Sequence, residues 1–482
     1  MRVLEHLQPE RVFYYFEEIA KIPHGSGNTK QISNYLVSFA KDHDLEYYQD
    51  EINNVIIIKE ATEGYENSAP VIIQGHMDMV CEKESTSTIN FETDGLQLYV
   101  DGEFVKAKDT TLGGDDGIAV AYALALLEST EYAHPRLEVV ITVDEETGMD
   151  GAYGIDLSML KGKKMLNIDS DEEGIFLTSC AGGTGVRALI PVNRNTEEGI
   201  VLHVKVDGLF GGHSGGEIHK ERGNASIIMG RVLNNIAKEV PFGIITLAGG
   251  LKDNAIPREC NASILVPEEG VFRALEIIEE TSNTLKKELF SSDPKVQVTA
   301  VNAGVQSADI LDFISLNKVL CYLRMVPNGV QNMSQAIPGL VETSLNLGIM
   351  ELKEDVFMTE TSIRSSVKTR KEDVREKIIN IIEILGGEAE VIGDYPAWEY
   401  KAESKLREEI AISYRSVYGE EPQFTAIHAG LECGILSEKI EGLDCVSFGP
   451  QNFDIHTPQE RLNIASTERI WNFLVEYLKQ AK

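Results

Sequence analysis

Four short apolar runs in this 482-residue chain each end in side chains of the kind that bind metal ions. Residues 71–74 lead through Gly75 to His76, Met77 and Asp78. Residues 137–143 deliver Asp144, Glu145 and Glu146. Residues 164–168 deliver Asp169 and Asp171, and residues 444–448 lead through Gly449 and Pro450 towards His456. Runs of this length, bounded by glycine and polar residues, read as buried strands. An open α/β sheet gathers its reactive groups in the crevice outside the carboxyl ends of its strands. One such end carries little weight. Four point to a metal centre at the rim of a sheet.

The chain is too long for a single core, so two or more domains are expected. A hydrophobic fraction of 43% and a charged fraction of 25% are those of an ordinary globular protein. The formal charge of −33, from 44 basic and 77 acidic residues, argues against nucleic acid and against an anionic membrane as partners. No basic stretch followed by an apolar one opens the sequence, and no run of about 18 apolar residues occurs. The six cysteines form no CxxC pair, which speaks against a thiolate zinc site and for a reducing, cytoplasmic setting.

Helices are expected over residues 9–22 and 29–43, with His24 in the loop between them, and a strand over 54–58. Residues 110–117, Thr-Thr-Leu-Gly-Gly-Asp-Asp-Gly, precede a helix over 118–128. An aspartate is a good helix N-cap, but two acids behind two glycines exceed what a cap needs. From residue 186 to 392 the texture changes to a separate unit with a loose repeat. Residues 243–249, 261–266, 271–289 and 296–300 read as strand, strand, helix, strand, and so do 342–348, 356–364, 371–385 and 389–392. Duplication of this kind packs two sheets into one platform. Because His456 lies beyond this block, the block reads as an insertion. The catalytic domain then comprises residues 1–185 and 393–482, and the inserted lid or substrate domain residues 186–392.

The ligand candidates are His76, Asp115, Glu146, Asp169 and His456. Imidazole and carboxylate suit zinc and its harder neighbours. Two histidines and three carboxylates exceed one tetrahedral ion with an open position, and suit two ions about 3.5–4 Å apart. Asp78, two residues after His76, is placed to accept its other ring N–H. Glu145 and Glu146 cannot easily share one ion, which frees one of them as general base on the attacking water.

The segments Gly75-His76-Met77-Asp78, Gly113 to Gly117, Asp144 to Gly148, Asn167 to Ser170 and the late His456 together resemble the di-zinc exopeptidase family of carnosinases and aminoacylases. The likeness is strongest to its bacterial aminoacyl-histidine dipeptidase branch. Gly182-Gly183, Gly211 to Ile218, Asn254 to Glu259 and His428 to Gly434 resemble the same branch, in the same order. The resemblance implies a mixed-sheet α/β zinc-peptidase domain with an inserted α+β lid. It implies Asp115 as the bridging ligand, His76 and Asp169 on one ion, and Glu146 and His456 on the other. Zinc is the ion implied, with cobalt or manganese as alternatives. Glu145 becomes the general base, Asp78 the orienter of His76, and His213 the group that polarises the scissile carbonyl. Asn254 and Arg364 are implied to hold the substrate carboxylate, with His428 lining the same pocket. Position 116, an asparagine in that branch, is Asp here, so either acid of the pair is available as the bridge, and Asp115 is taken. The activity implied is hydrolysis of dipeptides, Xaa-His among them. Deacylation of N-acyl amino acids is the alternative, and a homodimer is left open.

Overall fold

The computed structural model describes residues 2–482. By its internal contacts the chain forms two compact units. One consists of the chain up to Ser179 with Tyr400–Ala426 and Leu431–Lys482, and the other of Cys180–Glu399 with Ile427–Gly430. The second unit takes in more than residues 186–392. The strand Gly182–Pro191 belongs wholly to its sheet, and the Ala181 N–H donates to the carbonyls of Ile427 and Ala429.

In the first unit an eight-stranded sheet runs in the order Glu46–Gln49, Val55–Lys59, Leu137–Thr142, Val71–His76, Lys164–Asn167, Asp444–Ser447, Ile175–Cys180, Gln423–Ile427. The sheet is mixed, with its outer strands antiparallel. The four strands whose ends drew attention in the sequence are contiguous in its middle and mutually parallel. Parallel pairing is what brings their carboxyl ends to a single edge. His76 lies level with Thr142, and Gln74 level with Asn167. Both faces of these strands are covered, which is why they read as largely apolar runs without a polar face. One covering helix, Gly114–Glu128, is buried on nearly all sides, with Ile118 to Leu127 in the core. It packs against the helix Glu10–Ala20, which begins directly behind Pro9.

A small four-stranded sheet orders Asn452–Phe453, Arg461–Asn463, Phe104–Ala107 and Leu98–Asp101. His456 lies in the hairpin between the first two.

The second unit is built on one nine-stranded sheet. Along it stand Gln297–Leu311, Arg194–Asp207, Cys260–Val266, Gly243–Gly249, Val341–Leu352, Val356–Ser365, Gly182–Pro191 and Glu388–Tyr395, with Gly329–Met333 on the fifth. The expected repeat is visible in this order. Gly243–Gly249, Cys260–Val266, the helix Val271–Glu288 and Gln297–Leu311 correspond to Val341–Leu352, Val356–Ser365, the helix Lys368–Ile384 and Glu388–Tyr395. In each half one further strand sits between the second and third, and the halves meet through Gly249 opposite Met350. No helix among the described residues is long and apolar enough to cross a membrane.

Candidate active site

At the rim of the first sheet the His76 ring is held through both nitrogens. Nδ1 lies 3.0 Å from the Asp78 carbonyl oxygen and 3.4 Å from Asp78 Oδ1. Nε2 lies 3.2 Å from Asp115 Oδ1 and 3.7 Å from Asp169 Oδ1. The other oxygen of Asp115 lies 3.1 Å from His456 Nε2, which in turn lies 3.0 Å from Glu146 Oε1. Asp115 thus stands between two imidazoles with one oxygen directed at each. Three groups of donor atoms each lie within 4.8 Å of one another: His76, Asp116 and Asp169; His76, Glu145 and Glu146; Asp115, Glu146 and His456. Asp116, in the first of these, is buried and takes the His76 backbone N–H on Oδ2 at 3.2 Å. Asp115 and Asp116 have non-helical torsions, so the regular helix starts behind them and both carboxylates stay free of its first turn.

Asp78 does more than face His76. Its Oδ1 accepts the Glu145 N–H at 3.1 Å, and Oδ2 accepts the Ser26 hydroxyl at 2.8 Å and the Glu146 N–H at 3.4 Å. One buried carboxylate therefore fixes an imidazole and the turn presenting both glutamates. His24, expected in an ordinary loop, is buried beside this segment, with its own carbonyl accepting the Met79 N–H.

The electrostatics of the cluster are those of an anion-rich site. Burial pushes Glu145 well above the usual carboxylate range, and the charges of Asp169, Glu432 and Glu146 add to it. Burial likewise raises Glu146 and Asp169 and takes Asp171 to about 8. Burial would raise Asp115 as well, but hydrogen bonds to His456 and His76 hold it far below the ordinary range. His456 is pushed up to about 10 by its bonds to Asp115 and Glu146. His76 is raised well above the ordinary value although burial opposes it, because Asp115, Asp169 and Asp78 surround it. Crowded carboxylates of this kind are relieved by a cation. The mixed nitrogen and oxygen donors, without a thiolate, fit divalent ions of the zinc type.

The second unit carries a cluster of the opposite character. His213 pairs with Ala255 across the two-stranded Gly212–His213 and Ala255–Ile256 ribbon, which places the exposed Asn254 beside it. His213 Nδ1 accepts the N–H groups of Gly215 and Gly216 at 3.2 and 3.0 Å. Nε2 therefore carries the ring proton and is a donor. Burial and the nearby Arg364 lower its pKa, so the ring is neutral. Arg364 donates from Nη1 to the Tyr395 hydroxyl at 2.8 Å, while its buried Nε has no hydrogen-bond partner among the described residues. His428 is buried, with Nε2 2.7 Å from Ser344 Oγ, and burial together with Arg364 takes it down to about 4. The three groups converge at Gly215. A Cβ there would lie 2.7 Å from the His428 carbonyl oxygen, 3.0 Å from His213 Cε1 and 3.2 Å from Arg364 Nε.

The profile of Peptidase family M20/M25/M40 matches residues 72–480. The chain belongs to this family. A cytosol non-specific dipeptidase of Escherichia coli (strain K12) is 35% identical over 482 residues, which is 100% of this chain and 99% of the relative. The crystal structure of aminoacylhistidine dipeptidase from Vibrio alginolyticus superposes with a TM-score of 0.92 at 35% identity, over 99% of this chain and 98% of that one. A tripeptidase structure from Staphylococcus aureus, 16% identical, shares the fold with a TM-score of 0.60 over 98% of this chain and 99% of that one. As an M20 peptidase the chain is a peptide-bond hydrolase, with the mixed α/β fold expected.

Some residues around these M20 groups have no role assigned by the sequence, although Glu432 lies in the matching segment His428 to Gly434. Glu432, fully buried, accepts from Gln74 Nε2 at 2.5 Å and Thr142 Oγ1 at 2.6 Å, and Gln74 Oε1 accepts from Asn167 Nδ2 at 2.6 Å. This polar bar lies beneath the rim and joins the strands that deliver His76, Glu145 and Asp169. Tyr395 is the second such residue. A Cβ on Gly183 would lie 2.3 Å from its ring, so the Gly182-Gly183 pair makes room for the tyrosine that orients Arg364. Glycine pairs are a usable signal of close approach, but they do not name the partner.

Proposed function

We propose that this M20 peptidase is a metal-dependent dipeptidase of the cytoplasm, acting on Xaa-His and other dipeptides with two divalent ions. His76 and Asp169 would hold one ion, Glu146 and His456 the other, and Asp115 would bridge them, with zinc as the ion and cobalt or manganese as substitutes. The observation carrying this reading is Asp115 held between His76 and His456 with one oxygen to each, while Glu145 and Glu146 share a donor group with His76. Full-length likeness to a named dipeptidase supports the substrate class.

When bound, such ions supply Lewis-acid polarisation and a water acidic enough to be deprotonated near neutral pH. Glu145 takes the proton of the attacking water as a C–O bond forms at the scissile carbonyl, and returns it to the amine as the C–N bond breaks. Asp78 keeps the His76 ring oriented and the Glu145 main chain fixed. His213 donates its Nε2–H to the oxygen on which charge develops. Arg364, oriented by Tyr395, takes the carboxylate end of the dipeptide together with Asn254, and His428 lines that pocket. The inserted unit would serve as a lid that excludes water.

Turnover of a dipeptide panel before and after chelation tests the proposal. Hydrolysis of Ala-His should be abolished by chelation, restored by Zn²⁺, Co²⁺ or Mn²⁺, and faster than that of N-acetyl amino acids. Full activity in protein shown to be metal-free by elemental analysis, or a preference for the acyl substrates, would contradict it.

A further inference from the structure

Glu460 is a buried carboxylate to which none of the roles above has been given. It follows His456 by four residues, and its two oxygens accept backbone N–H groups from four consecutive residues. Oε2 accepts from Leu112 at 2.7 Å and Gly113 at 3.1 Å; Oε1 accepts from Gly114 at 2.8 Å and Asp115 at 3.3 Å. Asn452 Nδ2 adds a fifth donor at 3.2 Å. The loop wraps the carboxylate as a nest wraps an anion, and charge-assisted bonds of this kind are about twice as strong as neutral ones.

This wrapping accounts for the glycine pair ahead of the two aspartates. Gly113 takes φ +68°, and a Cβ on Gly114 would lie 2.9 Å from Asn452 Nδ2 and 3.1 Å from Glu460 Oε1. A second tie runs in parallel. The strand Arg461–Asn463, directly after Glu460, pairs with Phe104–Ala107, which leads into the same loop. Glu460 therefore joins the segment carrying His456 to the segment carrying Asp115.

We propose that Glu460 is a positioning residue: by holding the backbone of residues 112–115 it sets Asp115 with one oxygen towards each imidazole, and so tunes the affinity of the metal pair. The inference rests on the dipeptidase reading above.

The test uses Glu460→Gln, Glu460→Asp and Gly114→Ala in the full chain, with Zn²⁺ affinity read by chelator competition and kcat and KM read on Ala-His. Glutamine turns a donor towards the amide nest. Metal binding should weaken by roughly 10–100-fold, the usual loss when a group supporting a ligand is removed. At saturating metal kcat should fall by about tenfold with KM within about twofold, the pattern of a lost transition-state interaction. Glu460→Asp, which keeps the carboxylate, should recover part of both. A folded Glu460→Gln protein with wild-type metal affinity and kcat would overturn the proposal. If that variant does not fold, Gly114→Ala should show the same direction of change, and wild-type metal affinity there would overturn it equally. The wild type separates the two readings. If it shows no metal-dependent hydrolysis, the dipeptidase reading fails, whereas a metal-dependent wild type with indifferent variants sinks only the role of Glu460.

Discussion

The two units hold the same side chain in opposite electrostatic states. His76 and His456 lie among carboxylates that raise their pKa, His456 to about 10. His213 and His428 are depressed by burial and by Arg364, His428 to about 4. Imidazoles facing carboxylates belong to a site that wants a cation. Neutral imidazoles beside a guanidinium belong to one that wants an anion or a carbonyl oxygen. A divalent ion suits the first kind of site, and a carboxylate or carbonyl oxygen suits the second. A histidine's role is therefore read from its neighbours rather than from its presence.

The largest way to break this comparison is to remove one histidine of each kind. His456→Ala should lower metal content and take turnover down with it. His213→Ala should leave metal content unchanged and cost roughly 10²–10³-fold in kcat, the usual loss for a donor aimed at developing negative charge. Elemental analysis beside steady-state kinetics reads both, and metal loss at His213 would erase the contrast. A smaller change is Arg364→Lys. A point charge replaces a planar fork and loses the Tyr395 bond, so KM for Ala-His should rise by roughly tenfold, about 1.4 kcal/mol, with kcat little altered. An unchanged KM would remove Arg364 from substrate binding.

The rim of the first sheet was legible in the sequence for a physical reason. Strands covered on both faces are predominantly apolar, and parallel strands end on one side, so four largely apolar runs ending in ligand-type residues identified an edge. The duplicated unit was legible because each half keeps the same order of strands and helix. The long strand Gln297–Leu311 was expected only over 296–300, because most of its later residues are exposed and lack the alternation that marks a half-buried strand. The roles of the supporting carboxylates were not legible for another reason, even though Glu432 lies in the matching segment His428 to Gly434. Glu460 and Glu432 act on groups far away in sequence, Glu460 on residues some 345 positions earlier, and no local pattern records such a partner. The sequence spacing of Asp78 points to its imidazole but not to the N–H groups of Glu145 and Glu146, which reach it only because two neighbouring parallel strands end together.

The central claim is that the strand-end carboxylates divide their labour, Glu145 moving the proton and Glu146 holding metal. Metal content and turnover of Glu145→Gln and Glu146→Gln test it most directly. Glu145→Gln should keep both ions, since the ligand side chains are untouched, and lose roughly 10²–10⁴-fold in turnover, the range for a positioned proton-transfer group. Glu146→Gln should lose metal along with rate, because a neutral amide is a poorer ligand for a dication. Should Glu145→Gln shed an ion while Glu146→Gln keeps both, the two roles are reversed. Should neither variant lose rate, the carboxylates at the rim are structural and the account fails.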